Sequence, residues 1–244
     1  MPIVAAAVCP HPPLLVPEIA GGAAPELDGL RAGCLAALDQ LADAQPDALL
    51  VVGAGPETGI RYDADAGGDF GPYGAPGVRV GSGKPGLPLS LLVGYWLVLQ
   101  SNTAGLPRTA VTIATGATPR ACAQLGRELA GSADASGAVV ALLVMGDGSP
   151  RRSEHSPAHL HPRAEIFDAT VAAALDAADT ETLAALDPNL ATELQAAGRA
   201  PWQVLAGATS SGDWHGELTY NAAPYGVGYF VATWTPGPHS LQGG

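Results

Sequence analysis

Positive charge is scarce in this sequence. Eleven Lys plus Arg stand against 23 Asp plus Glu, a net charge of −12 over 244 residues. Such a chain offers few cations to a phosphate backbone or to an anionic bilayer, so neither nucleic acid nor a membrane is an expected partner. The acidity is read as solubility. Cysteine is equally sparse: Cys9, Cys34 and Cys122 are scattered and form no CxxC pair, which excludes a disulfide framework. Free thiols of this kind fit a reducing compartment, and a cytoplasmic location is expected. No basic segment precedes the apolar run Ile3 to Val8, so the start of the chain does not read as a signal peptide. Long hydrophobic runs are lacking too. Leu87 to Leu99 is nearly all apolar, yet it falls short of the ~20 residues that span a bilayer, and it reads as a buried helix. No G-x-S-x-G is present to form a serine-hydrolase elbow.

What the chain does have is small residues, 32 Gly and 22 Pro, within a 47% hydrophobic composition. Apolar runs at Ile3–Val8, Ala48–Val52, Thr109–Thr115 and Ala138–Met145 read as buried strands. Between the first two, Leu27, Leu30, Cys34, Leu38 and Leu41 recur at three and four residues, the stripe of an amphipathic helix that opens near Pro25 and ends before Pro46. Thr118-Pro119 starts another helix, with Thr118 as N-cap, running to about Ala130. Strand–helix–strand order of this kind builds a parallel sheet. Helices are expected at 163–178, 180–186, 188–197 and 201–208, and a strand pair at Leu218–Tyr220 and Gly228–Trp234. Residues 53–88 show no periodicity beyond a short strand at Val78–Val80 and the start of the buried helix. The expected fold is therefore α/β, a single domain with a mostly parallel central sheet, helices on both faces and a C-terminal antiparallel strand pair.

Three local patterns lend themselves to a chemical reading. Gly81-Ser82-Gly83-Lys84 lies near a phosphate-loop pattern, but Val78 occupies the place of the first Gly and Pro85 that of the Mg²⁺-binding hydroxyl. Gly53-Ala54-Gly55 follows a strand as a dinucleotide fingerprint does, but Pro56 interrupts it and the third Gly comes one residue late, at Gly59; a plain turn accounts for it better. His155, His159 and His161 have metal-ligand chemistry, but they lie in a Pro-containing loop rather than on one helix face, and a solvated loop is the preferred reading.

The sharpest feature is Cys9-Pro10-His11-Pro12-Pro13. His11 is held between two prolines just past a buried strand, where the backbone is stiff and where α/β sheets place their sites. A first strand running into this motif resembles the opening of the class III extradiol ring-cleavage dioxygenases, the LigB-like superfamily that includes the MEMO proteins. The resemblance implies that residues 1–236 form one LigB-like domain, with 237–244 a flexible tail, and that His11 is a metal ligand. Its second ligand belongs in the loop Val52–Glu57, where Glu57 is the one metal-capable side chain. Its Asp-x-Ser-His turn is matched by Asp147-Gly148-Ser149, with Pro150 in place of the His. Its third ligand, a Cys before Gly-Arg and Pro in MEMO-type proteins, falls on Ala197 in Ala197-Gly198-Arg199-Ala200-Pro201.

The resemblance thus keeps scaffold motifs from residue 3 to about 208 and loses at least two of three ligands. Two functions are carried forward. One is a pseudo-enzyme or small-molecule binding protein without a metal or other cofactor, using His11 and Asp147 with Glu57, Ser149, Arg199 and Tyr225 around a pocket. The other is a metal-dependent, dioxygenase-like oxidoreductase in which His11 with Glu57 or Asp147 holds Fe(II) or another divalent metal. The first is preferred. The loops at 10–13, 53–59 and 146–150 are expected to leave the same sheet edge and converge, with the His11 ring in contact with Asp147. The sequence leaves the oligomeric state open.

Overall fold

Both faces of the central strands are apolar, and that requires a layer of helices on each. In the computed structural model, which describes residues 3–237, the chain runs from β1 (Ile3–Cys9) through a 3₁₀ turn and a short α1 (Pro17–Ala20) into α2 (Asp28–Asp43), then returns as β2 (Ala48–Gly55). Three short strands follow: β3 (Arg61–Tyr62), β4 (Gly68–Phe70) and β5 (Ala75–Val80). Next come α3 (Leu89–Leu99), β6 (Arg108–Ala114), α4 (Pro119–Ser136) and β7 (Val140–Met145). The second half is mainly helical, with α5 (Ala164–Asp176), α6 (Thr180–Ala184), α7 (Pro188–Glu193) and α8 (Arg199–Ala208), before the closing strands β8 (Trp214–Ala222) and β9 (Tyr229–Pro236).

Seven strands form one sheet in the order β3-β6-β2-β7-β1-β9-β8. The central four, β6, β2, β7 and β1, are parallel, and β3, β9 and β8 add antiparallel edges. This is the expected α/β architecture, including the C-terminal antiparallel pair. Side-chain alternation divides the core in two. Leu50, Val52, Leu142 and Val144 pack against α4 to α8 on one face. Leu49, Val51, Leu143 and Met145 pack against α2 and α3 on the other. In α3, Ser90 through Val98 are all buried, which explains an apolar run without amphipathic pattern. Among the described residues no helix is long and apolar enough to cross a membrane.

Several boundaries differ from expectation for tertiary reasons. Gly53–Gly55 is not a turn but the end of β2, paired with Thr112–Ala114. A Cβ on Gly53 would lie 2.5 Å from Ser90 Oγ, so glycine lets α3 seat its first turn against the strand, where Ser90 donates to the Ala54 carbonyl at 2.6 Å. Pro25 lies in a 3₁₀ stretch ahead of α2, and α4 continues to Ser136, closed by Gly137 at φ 69°. Residues 68–80 form their own two-stranded sheet, with Phe70 and Val80 buried. Helix α8 starts at Arg199, two residues before Pro201, because a proline in the first turn lacks only an N–H that has no helical partner there. Of the tail expected at 237–244, Gly237 donates to the Asp213 carbonyl at 2.8 Å, and the rest lies outside the described residues.

Helices α4 and α8 approach so closely that each needs a glycine at the crossing. A Cβ on Gly126 would come within 2.2 Å of the Val204 carbonyl oxygen, and one on Gly207 within 2.4 Å of that of Ala123. Because the obstacle is backbone, Gly126→Ala is expected to lower unfolding free energy by about 1–3 kcal/mol in urea titration, despite the better helix propensity of Ala. Gly131→Ala, on the same helix but facing open space, is expected to raise it by about 0.5–1 kcal/mol.

Candidate functional site at the strand ends

Parallel strands deliver their C-terminal ends to one edge, and β1 and β7 are neighbours there. The turn after β7 is bound to several segments at once. Gly146 N–H continues the ladder to the Cys9 carbonyl at 2.9 Å, and the Asp147 carbonyl accepts from Gly198 N–H at 2.8 Å. Gly148 N–H donates to the Gly228 carbonyl at 2.7 Å, and Gly228 N–H to that of Ser149 at 3.0 Å.

His11 and Asp147 meet as expected, through an unexpected atom. The main-chain N–H of His11 donates to Asp147 Oδ1 at 2.7 Å. The ring Nδ1 lies 3.4 Å from the same oxygen, within ion-pair reach, yet it is buried and makes no hydrogen bond. The hydrogen bond between these residues is therefore the main chain's, and the ring lies beside the carboxylate without bonding it. A His11→Ala change therefore keeps the hydrogen bond, whereas Asp147→Ala removes its acceptor. Burial pushes the Asp147 carboxyl above its ordinary range, and the nearby His11 ring and N–H offset this only in part.

The other singled-out residues are placed as follows. Ser149 is buried and spent on structure: its Oγ donates to the Leu194 carbonyl at 2.7 Å and its N–H to Asp168 Oδ1 at 3.0 Å. Tyr225 adopts φ 56°, a left-handed conformation rare for an aromatic residue, and its hydroxyl donates to Glu26 Oε2 at 2.7 Å. Glu57 is exposed, and its carbonyl accepts from Thr112 Oγ1 at 2.8 Å. His161 is not free to chelate. Its Nε2 sits 2.8 Å from Glu193 Oε1, and Glu193 also pairs with Arg163. Gly81 and Gly83 close tightly on Ala66 and Asp65, a structural hairpin rather than a phosphate cradle.

Tyr229 and Cys34 flank the pair and were not anticipated. Burial raises both groups, and the Asp147 charge raises them further. Cys9, at the end of β1, pushes Cys34 up as well. Their apolar setting hid them, since each reads as ordinary core.

Arg199 lies apart, beneath a recess of about 330 Å³ lined by Thr115 and Gly116 after β6 and by Ala191, Gln195, Ala197 and Arg199. Thr115-Gly116 could have been found by extending the strand-end argument to the fourth parallel strand. Gly198 separates the recess from Asp147: it bonds the Asp147 carbonyl on one side and is flanked by the lining residues Ala197 and Arg199.

A two-His, one-carboxylate iron centre does not fit these positions. The three places hold His11, the exposed Glu57 and Ala197, which has no donor atom. Among the described residues no three His, Cys, Asp or Glu side chains gather as a metal-holding group.

No protein-family model matches the chain, and no curated protein matches it in sequence. A solved structure is similar in fold, that of uncharacterized protein JW3007 from Escherichia coli K12, with a TM-score of 0.58 and 15% identity over 95% of this chain and 99% of that one.

The raised Asp147 carboxyl carries a pH signature. Its folded-state value lies above the unfolded one, so its contribution is present below the ordinary carboxylate range and is lost as pH rises through the folded value. Asp147→Asn keeps an acceptor for His11 N–H and removes the charge. Its stability relative to the parent is expected to climb as pH rises from roughly 4 to 7, read by urea unfolding of both proteins across that range.

Proposed function

We propose that this chain is a small-molecule binding protein built on a LigB-like scaffold, a pseudo-enzyme that works without the family's iron. The observation that carries this reading is the recess of about 330 Å³ at the strand-end edge, within the size range of small-ligand sites, with Ala197 in its wall where the resemblance puts the third metal ligand. Ala197 offers only a methyl group there, and no His, Cys, Asp or Glu lines the recess. The fold likeness to another α/β protein is compatible with this reading and says nothing about chemistry. The His11–Asp147 pair stays beside the recess as its polar neighbour, across the Gly198–Asp147 hydrogen bond.

The reading has a direct test. Protein purified without chelator, then supplied with Fe(II) and protocatechuate, is expected to give no ring-fission absorbance. Catecholate must bind iron through both oxygens, and the donor set cannot hold iron in that geometry. Ring-fission absorbance that vanishes in His11→Ala would sink the proposal in favour of a rebuilt metal site. A small-molecule thermal-shift screen is expected to return ligands that stabilise the parent but not Ala197→Phe, whose ring fills the recess.

A further inference from the structure

Helix α5 buries one side and leaves the other bare. Phe167, Val171 and Leu175 go into the core, while Ile166, Ala169, Thr170 and Ala173 recur on the outer side at three and four residues, all exposed. Ile166 is 69% exposed, the most of any large hydrophobic side chain among the described residues. The one side-chain polar atom of these four is spent: Thr170 Oγ1 donates to the Ile166 carbonyl at 2.9 Å. The acids within the helix are engaged elsewhere. Asp168 is buried against Ser149 and Arg152, and Glu165 leans toward Arg152 at 3.8 Å. Beside the bare side lies a hollow of about 370 Å³, walled by Ile166, Phe167 and Thr170 on α5 and by Ala185, Leu186 and Leu190 across from them. An exposed apolar surface of this kind marks a contact with another molecule.

The face is complementary to a second copy of itself. In a two-fold contact, a residue i that touches j requires that j touch i, so α5 packs antiparallel on α5. With Ile166 set opposite Ala173, the bulky residue of each helix meets a small one of the other, and Ala169 and Thr170 fall at the axis. The same register sets Arg163, three residues before Ile166, opposite Asp176, three residues after Ala173. These two stand at opposite ends of the face, carry opposite charge and are both exposed. Arg163 also bonds Glu193, and a guanidinium has donors to spare beyond that one bond. Asp176 Oδ1 accepts from Leu218 N–H at 3.0 Å, which leaves its second oxygen for a cation. A parallel arrangement would instead set Ile166 on Ile166 and Arg163 on Arg163. Copies that each carry a net charge of −12 repel, and the uncharged outer side of α5 is where they can touch.

We infer that the outer face of α5 is the seam of a two-fold homodimer. Ile166 of each copy sits against Ala173 of the other at the mouth of the hollow, and Arg163 pairs with Asp176 across the seam at both ends. This assignment does not rest on the small-molecule reading.

The test is sedimentation of the full chain from about 1 to 100 µM, over which the mass is expected to rise from 24.4 kDa to twice that value. Ile166→Glu alters an exposed side chain, so circular dichroism is expected to be unchanged while the dissociation constant rises by roughly a hundredfold or more, because the seam would then bury two unpaired acids. The register is read with Ala169→Cys. The native thiols Cys9, Cys34 and Cys122 are buried, so mild oxidation is expected to join two copies through this cysteine and not through Asp134→Cys, on the exposed side of α4. A monomer at every concentration overturns the proposal and leaves the face to a different partner. A dimer that survives Ile166→Glu moves the seam off α5. A dimer that Ala169→Cys fails to trap overturns the antiparallel register.

Discussion

The edge of the sheet that carries the site depends on one turn, Gly146–Ser149, and on the bond that His11 N–H makes to Asp147 there. A buried N–H flanked by prolines has few acceptors available, and Asp147 supplies one. The same four-residue turn bonds Gly198 ahead of α8 and Gly228 ahead of β9. Four segments distant in sequence are thereby fixed at the strand ends. The small residues in the turn follow from this crowding: a Cβ on Gly146 would lie 2.7 Å from Gly198 Cα, and one on Gly148 the same distance from Asp168 Oδ1. The carboxylate is tolerated despite its raised value because the turn needs an acceptor at that point.

The two features of the edge divide the work physically. On the α2 face, Cys9, Cys34 and Tyr229 belong to the apolar core, and the Asp147 charge is felt by the last two. On the α8 face, Arg199 fastens the loop after β6 by its carbonyls and borders open space. One side carries a buried carboxyl beside a histidine, and the other a buried guanidinium bonded to main-chain carbonyls. Between them stand Gly198 and the Asp147 peptide.

Much of the fold was legible because burial writes itself into periodicity. The strand runs and the stripe of α2 placed the parallel core, and strand-end logic put His11 beside Asp147. Which atom would make the bond was not legible, since a side chain's reach depends on the path of the opposite turn. Glycine was the main source of error. Gly53 and Gly55 read as a turn, yet they continue a strand because Ser90 and Thr112 leave no room for a side chain, a fact set by residues well removed in sequence. Arg199 was visible as a motif residue, but its acceptors at 115 and 117 are joined to it only by the fold. The recess drew no signal because alanine and glycine, which make space, carry no chemical mark.

The placement of β1 has a consequence for how the chain assembles during synthesis. In the finished sheet β1 is flanked by β7 on one side and β9 on the other, both of them later in the chain. Its partner at Val8 is Ala232, more than two hundred residues downstream. Until that partner emerges, one edge of an almost entirely apolar strand has no ladder to join, and nascent chains with such waiting edges are prone to mispairing. Contacts this remote also make closure slow, because the intervening loop must be ordered before the pairing rewards it. The low bulk of the strand, with alanine at 5, 6 and 7, limits its stickiness during that wait.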